Sequence, residues 1–491
     1  MDDHFTEYDC ADILVEGTKI VSIGTDLPIP HDAAGFRVIE AKGMLAMPGL
    51  INGHMHSPAN FQKGTLDGMP LEVFMLYEVP PFSSDPPSPR LNYVRTMLGN
   101  MEMLKLGVTS AHDDAFYTPL PTPEAIDGLM QSYADSGIRV AATLDQPMVI
   151  EYEKYPFLYD VLPRKIRRAM ETTPRQSKEE LLALYNHLIG RWHDTSDGRV
   201  RTAVSISAPQ RVTEDYFGAL SNISQELNLP FNIHMLETKL QRVLGKEKYG
   251  KSLIKYVHDL GFLTEEVMVI HAIWIDDEDI TLIAQSGCSV AHNPGCNLRL
   301  GSGVMPFRQL RDAGVSICLG SDEAIAEDTA NMWAVGKLAG LIHNISDPEY
   351  RNWPQAKEIL WSLTRGGARA MRNENRVGML APDYEADLIL LDLNTITFTP
   401  LNDIYRQLVY CESGSSVRLT MVAGQVVVED GRLLTVDEES IKAEARELMK
   451  EYRVELAKAA EAADKLEPYY REMYLRAAGT PVEMNRWVNS N

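Results

Sequence analysis

No stretch of the sequence reaches the roughly 18 unbroken apolar residues that a membrane-spanning helix needs, so no span of that kind is expected. Basic residues are outnumbered, 47 Lys and Arg against 69 Asp and Glu. The net charge of −22 disfavours nucleic acid or anionic membrane as partners, since both want clustered cations. Cysteine is sparse. Cys10, Cys288, Cys296, Cys318 and Cys411 are odd in number, widely spaced and mostly inside apolar runs, which fits reduced core thiols, and no Cys-x-x-Cys exists for a zinc knuckle. The start of the chain, Met1-Asp2-Asp3-His4-Phe5, is acidic without an apolar stretch of signal-peptide type, and a cytoplasmic protein is expected. What is present is ordinary for a soluble globular chain: 491 residues, 45% hydrophobic and 24% charged, enough to bury a large core.

From about residue 45 to 370 one rhythm repeats, an apolar run followed by a polar turn and a helix-like stretch. The runs 45–53, 106–111, 138–144, 200–207, 230–234, 266–271, 287–291 and 315–320 read as strands. Eight of them predict an α/β fold built on a closed (β/α)8 barrel of TIM type, in which functional groups gather at the carboxyl ends of the strands. His54, His56, His234, His271, His292 and Asp322 all fall there.

Residues 9–43 and 376–432 read instead as short β runs: Ala11–Val15, Lys19–Ile23, Phe36–Glu40, Ala386–Asp392, Arg418–Val422 and Gln425–Val428. They predict a small β-sandwich domain assembled from both chain ends. The expected division is 1–44 and 376–432 for the sandwich, 45–375 for the barrel and 433–491 for a helical C-terminal tail. The tail's apolar stripe, between Glu438 and Ala478, should pack on something such as a second subunit. The long connection 149–195, with aromatic-rich Tyr152–Tyr159 and helix-like Lys178–Trp192, sits where a lid would.

Alternate strand residues point the same way, so the imidazoles of His54-Met55-His56 can reach one ion at roughly 2.0–2.1 Å. Three imidazoles and a carboxylate suit zinc or ferrous iron better than magnesium; one divalent ion, zinc before iron, is expected. Glu237 lies three residues after His234, where its carboxylate can lean over the same mouth as proton acceptor and donor. His271 either hydrogen-bonds the attacking group or oxyanion or is a further ligand. Gly245–Ser252 satisfies G-x-x-x-x-G-K-[ST] letter for letter. A phosphate loop follows a buried strand, whereas Glu237–Leu244 is charged and helix-like, so nucleotide binding is set aside.

The sequence resembles the amidohydrolase superfamily, and within it the aminohydrolases that include cytosine, guanine and S-adenosylhomocysteine deaminases and triazine hydrolases. The marks are Met47-Pro48-Gly49-Leu50-Ile51-Asn52-Gly53-His54-Met55-His56, His234-x-x-Glu237, His271-Ala272-Ile273-Trp274, the stretch from His292-Asn293-Pro294-Gly295 to Gly303, Gly320-Ser321-Asp322 and Ala386-Asp387-Leu388-Ile389-Leu390. This resemblance implies one metal held by His54, His56, His234 and Asp322, with Glu237 shuttling protons, His271 polarising the attacked centre and Asp322 accepting a proton. It implies hydrolysis at a ring carbon of a nitrogen heteroaromatic, releasing ammonia or an amine. The alternative is hydrolysis of an amide, urea, carbamate or C–halogen bond.

No Lys ends the fourth strand at Ser205-Ile206-Ser207-Ala208, which argues against a carboxylated-lysine two-metal centre. Nucleoside deaminases of the group usually carry Pro-His-Ala-Pro-Tyr where this chain has Ile206-Ser207-Ala208-Pro209-Gln210, and a ribose-binding acid where it has Pro80-Pro81-Phe82-Ser83-Ser84. Both departures argue against a nucleoside, and a small heterocycle is the expected partner. Lys63, Trp274 and His292 are the candidate substrate contacts, with Phe61, Met69, Phe74, Tyr77 and His112 as further lining. A homodimer or higher homo-oligomer is expected, and the resemblance also implies that a β strand precedes Met1.

Overall fold

The computed structural model describes residues 4–28, 35, 37–82 and 88–487. Among these, two five-stranded parallel sheets close on one another. In chain order the strands are Leu50–His56, Val108–Asp113, Arg139–Ala142, Val200–Thr202 with Val204–Ser205, Phe231–Met235, Val267–His271, Ser289–His292, and Ser316–Leu319 with Asp322–Glu323. The fourth and eighth positions are broken. Val200–Thr202 pairs with the third strand and Val204–Ser205 with the fifth, while Ser316–Leu319 pairs with the seventh and Asp322–Glu323 with the first. Those breaks carry the ring from one sheet into the other, giving the expected α/β barrel. Helices return between strands, and side chains at their starts take up orphan N–H groups: Ser88 accepts from the Leu91 amide, Thr122 from Ala125 and Asp276 from Asp279.

The run expected as one strand over 45–53 is two. Met44–Pro48 pairs antiparallel with Leu388–Asp392 in a five-stranded flanking sheet, and only from Leu50 does the chain enter the barrel. Gly49 is the joint, because a Cβ there would meet Thr109 Cγ2 at 2.1 Å. A hairpin, Asp12–Glu16 with Lys19–Gly24, and the flanking sheet share an apolar cluster that includes Ile20, Leu388, Leu390, Leu419 and Met421. This is the sandwich drawn from both chain ends. Of the run expected over Phe36–Glu40, Phe36 lies outside the described residues and 37–40 carry no strand. Arg139, fully buried, ties barrel to sandwich with Nε and Nη2 donating to Asp387 at 2.8 and 3.0 Å.

The tail forms two helices, Glu438–Asp464 and Glu467–Gly479, with part of their apolar stripe covered by the same chain and Val454 and Leu475 exposed. Ile441 and Ala445 cluster with Leu91, Val94 and Met97; Tyr470, Met473 and Ala477 cluster with Val73, Tyr155 and Leu158. This part of the stripe is covered within the chain. No described helix is long and apolar enough to cross a membrane.

Candidate active site

The carboxyl ends of the first, fifth, sixth and eighth strands bring His54, His56, His234, His271 and Asp322 together under one cavity, as the strand-end pattern suggests. Ring centroids of His54, His56 and His234 stand 4.7, 5.1 and 5.4 Å apart. His56 Nδ1 lies 2.5 Å from the Asp114 carbonyl oxygen, and His234 Nδ1 lies 2.9 Å from that of Ser207. A carbonyl only accepts, so each Nδ1 carries and donates the proton, leaving Nε2 as a free lone pair. Asp322 Oδ1 is 3.5 Å from Nε2 of both His54 and His56. His54 is fully buried and neither of its ring nitrogens has a hydrogen-bond partner.

Orphaned imidazole nitrogens in a buried site are costly unless something takes their lone pairs. Three imidazoles and a carboxylate are the donors that zinc and its neighbours prefer, and these residues fit a divalent metal ion. Donor atoms of His54, His56, His234 and Asp114 lie within 4.8 Å of one another, as do those of His54, His271 and Asp322. Asp114 is the unexpected member. It accepts from Thr143 Oγ1 at 2.6 Å and stands 3.7 Å from His234 Nδ1, on the proton-bearing side of that ring. A carboxylate at that position can orient the His234 ring from behind.

The second half of the site is an acid–imidazole–acid row. His271 Nε2 lies 3.4 Å from Glu237 Oε2 and 3.6 Å from Asp322 Oδ2, and its Nδ1 lies 3.0 Å from Asn297 Oδ1. Burial holds His271 neutral, its pKa lowered to about 4. Burial, reinforced by Asp322 and Glu72, pushes Glu237 well above the carboxylate range. For Asp322 burial acts in the same upward direction, but His54, 3.5 Å away, with the other imidazoles around it, outweighs burial and holds the carboxyl well below its usual range.

The backbone is strained where these groups sit. Ser207, Leu236, His271 and Asp322 have φ of 62°, 55°, 73° and 60°, a left-handed region that costs a non-glycine residue about 1–3 kcal/mol. The eighth strand is pressed onto the first at Gly320, where a Cβ would meet the His54 carbonyl oxygen at 2.6 Å. Asn52 Nδ2 donates to Ser321 Oγ at 2.8 Å and Asn52 Oδ1 accepts from the Ser321 amide at 3.0 Å, stapling the two strands beside the ligands.

A cavity of about 610 Å³ opens over the cluster. Its floor holds His56, His234, Glu237, His271 and Asp322; its walls include Phe82, Phe116, Tyr155, Met170, Asp145 and Arg211. Of the connection expected to act as a lid, Glu151 to Arg175 contributes wall residues, while helix Lys178–Trp192 stands outside, with Trp192 Nε1 donating to Asp127 at 2.7 Å. None of the three expected substrate contacts lines the cavity. Lys63 is drawn away by an ion pair with Glu102, Trp274 is buried with Nε1 donating to Ser302 O at 2.8 Å, and His292 is buried with Nε2 3.1 Å from His343 Nε2. Phe61, Met69, Phe74, Tyr77 and His112 also pack elsewhere. Asp145 and Arg211, which do line it, follow the third and fourth strands closely, Glu323 ends the eighth, and all three were open to the strand-end rule. The Gly245–Ser252 stretch runs from inside helix Lys239–Tyr249 to Ser252, the cap of the next helix, with no loop to wrap a phosphate.

Barrel, imidazole cluster and buried acids together define a metal-dependent hydrolase. The chain belongs to the amidohydrolase family, whose model matches residues 45–427. It is 30% identical to the 5-methylthioadenosine/S-adenosylhomocysteine deaminase of Carboxydothermus hydrogenoformans, over 88% of this chain and 92% of that protein. It is 27% identical to the 5'-deoxyadenosine deaminase of Methanosarcina mazei, over 89% and 93%. Among solved structures, a mutant of atrazine chlorohydrolase from Arthrobacter aurescens complexed with zinc and atraton matches with a TM-score of 0.81 at 25% identity, covering 91% of this chain and 97% of that one.

Proposed function

We propose that this chain is a zinc-dependent aminohydrolase that displaces ammonia or an amine from a ring carbon of a nitrogen heteroaromatic. His54, His56, His234 and Asp322 would hold the ion, which supplies, when bound, the Lewis acidity that makes water nucleophilic near neutral pH. The observation that carries the reading is the row Glu237–His271–Asp322 beside the orphaned nitrogens of His54. Glu237 holds a proton at a carboxyl whose Oε1 has no partner, and is placed to deliver it to a ring nitrogen. Asp322, ionised, receives the proton of the attacking water through Oδ2 and returns it to the departing ammonia or amine. His271 sets Nδ1 3.0 Å from Asn297 Oδ1 and 3.3 Å from Asn293 Nδ2 and presents Nε2 between the two acids, orienting both.

Apolar wall residues such as Phe116 and Met170 exclude water and take the face of a flat ring. The cavity of about 610 Å³ has room for a purine-sized ring and a substituent, which supports substrates of the kind named for the deaminase relatives despite the departures at Ile206–Gln210. Likeness to atrazine chlorohydrolase favours halide release as the second reading. The unpaired state of all five cysteines supports a reducing, cytoplasmic setting. The test is ammonia release by the zinc-loaded enzyme over adenosine derivatives, purine bases, pterins, pyrimidines and triazines, with chloride release measured on chlorotriazines. Ammonia from at least one ring class is expected; chloride alone, or a carboxylate product, would replace the reading.

A further inference from the structure

The loop that carries Glu237 is tied down at each of its residues. Leu236, at φ 55°, accepts through its carbonyl oxygen from the amides of Ile273 and Trp274 at 3.0 and 2.7 Å, and the Glu237 amide donates to Gln241 Oε1 at 3.0 Å. Thr238 is tied differently. It is the cap residue of helix Lys239–Tyr249, where a threonine ordinarily accepts from an amide of the first turn, yet its side chain caps nothing. Instead Thr238 Oγ1 donates to Glu72 Oε1 at 2.5 Å. An acid in the first turn of a helix normally stands in water at the positive end of the dipole, but Glu72, second residue of helix Leu71–Glu78, is 2% exposed and its Oε2 has no hydrogen-bond partner. A carboxyl buried with one such bond costs stability, and an apolar side chain of that size would not. The same helix is cavity wall: Leu71 and Met75 line the cleft, and Val73 and Leu76 pack with Leu240.

We propose that Glu72 is a positioning residue that, by holding Thr238, fixes Glu237 in the place from which it hands over its proton, an inference that rests on the aminohydrolase reading. Both partners forgo a more stable arrangement, and what their bond secures is the direction of the carboxyl next to it. Placement of a reacting group matters to the rate, since an error of about 1 Å can cost about a hundredfold. A bond made for stability and a bond made for placement part company when both partners become apolar residues of like shape.

The variants are E72L, T238V and the two combined, with E72Q and T238S keeping the acceptor and the donor. Turnover is read as ammonia on the ring of the panel above that reacts fastest, and as chloride on chlorotriazines, together with KM, zinc per chain and the thermal midpoint. Each apolar variant should lower kcat by about tenfold to a hundredfold, with KM within about threefold and zinc unchanged, and the pair should lose no more than the worse single change. The midpoint of the pair should match or exceed the parent's, because both partners leave the interior together. E72Q and T238S should recover most of the rate. Losses that multiply, a kcat for the pair within about threefold of the parent, or a rate that falls only with the midpoint or the zinc would overturn the positioning role. A different product, chloride or a carboxylate, slowed by the same variants overturns the aminohydrolase reading and leaves Glu72 its role; no turnover by the parent overturns both.

Discussion

Replacing Glu237 by Gln separates proton transfer from everything else the residue does. Gln keeps the size and the hydrogen-bonding reach of the side chain but cannot give up or take a proton. The position is well held: Glu237 is 2% exposed, its amide donates to Gln241 Oε1 at 3.0 Å, and Oε2 lies 3.4 Å from His271 Nε2. A positioned acid–base group contributes about 10²–10⁴ in rate. Because Glu237 is the group placed to protonate the ring, the upper end applies, about 10⁴ in kcat or roughly 5.5 kcal/mol. The assay is coupled ammonia detection, with zinc per chain by elemental analysis and the thermal midpoint measured alongside. Zinc content should be unchanged, since Glu237 is not among the four proposed ligands. A kcat within tenfold of the parent would refute the proton role, and zinc lost in parallel with activity would make Glu237 a ligand instead.

Other substitutions probe the layers around that step. His54→Ala should strip the ion on dialysis, whereas Asp114→Ala, removing the carboxylate 3.7 Å from His234 Nδ1, should weaken zinc by about 10–100-fold and leave the ligands in place; a His54 variant that retains full zinc would contradict the ligand set. Asp387→Ala takes both short hydrogen bonds from the buried Arg139 guanidinium and leaves it the Gly198 carbonyl at 3.1 Å and Glu385 at 3.6 Å. Urea unfolding should show a loss of about 3–5 kcal/mol, and a change under 1 kcal/mol would mean the barrel–sandwich tie is not what holds the two together. Burial alone would raise the Glu385 carboxyl, but Arg139, Arg376 and Lys19 outweigh it and hold the group below its ordinary range. A carboxylate depressed on folding adds stability that is full above its unfolded pKa of about 4.3 and is lost as pH falls through the folded value. The urea midpoint should therefore fall below about pH 4.3 less steeply in Glu385→Gln than in the parent, and equal slopes would count against the pairing.

The barrel and its donors were legible because both rest on local rules. An apolar run of strand length and a polar residue at its end is a pattern confined to a few neighbours, and His54, His56, His234, His271 and Asp322 each satisfy it alone. The joint at Gly49 was not legible in the same way. Leu45–Ile51 is one unbroken apolar run across the joint, and only the partner strands, Leu388–Asp392 for one half and Val108–Asp113 for the other, tell the two strands apart. The cavity walls failed for the same reason. Trp274 stands in a motif beside His271, yet Ala272 at φ 48° turns the chain inward and sends the indole to Ser302. Asp114 was visible in the sequence, but its role depends on Thr143 and His234, which only the closed barrel brings to it.

That division has a physical origin in the barrel. Ligands and acids stand on strands whose hydrogen-bonded neighbours fix them, so the reaction centre needs little from the rest of the chain. The walls are excursions, and what holds them lies far away in sequence. Glu151 accepts from Tyr470 Oη at 3.1 Å, and Tyr155 packs edge-on to the same ring with centroids 5.7 Å apart, so the C-terminal helix braces a segment that lines the cleft. A change in the tail can therefore reshape what the cavity admits without touching His54, Glu237 or Asp322. On this fold, recognition and chemistry are carried by different parts of the chain, the walls by long excursions and the centre by strand ends.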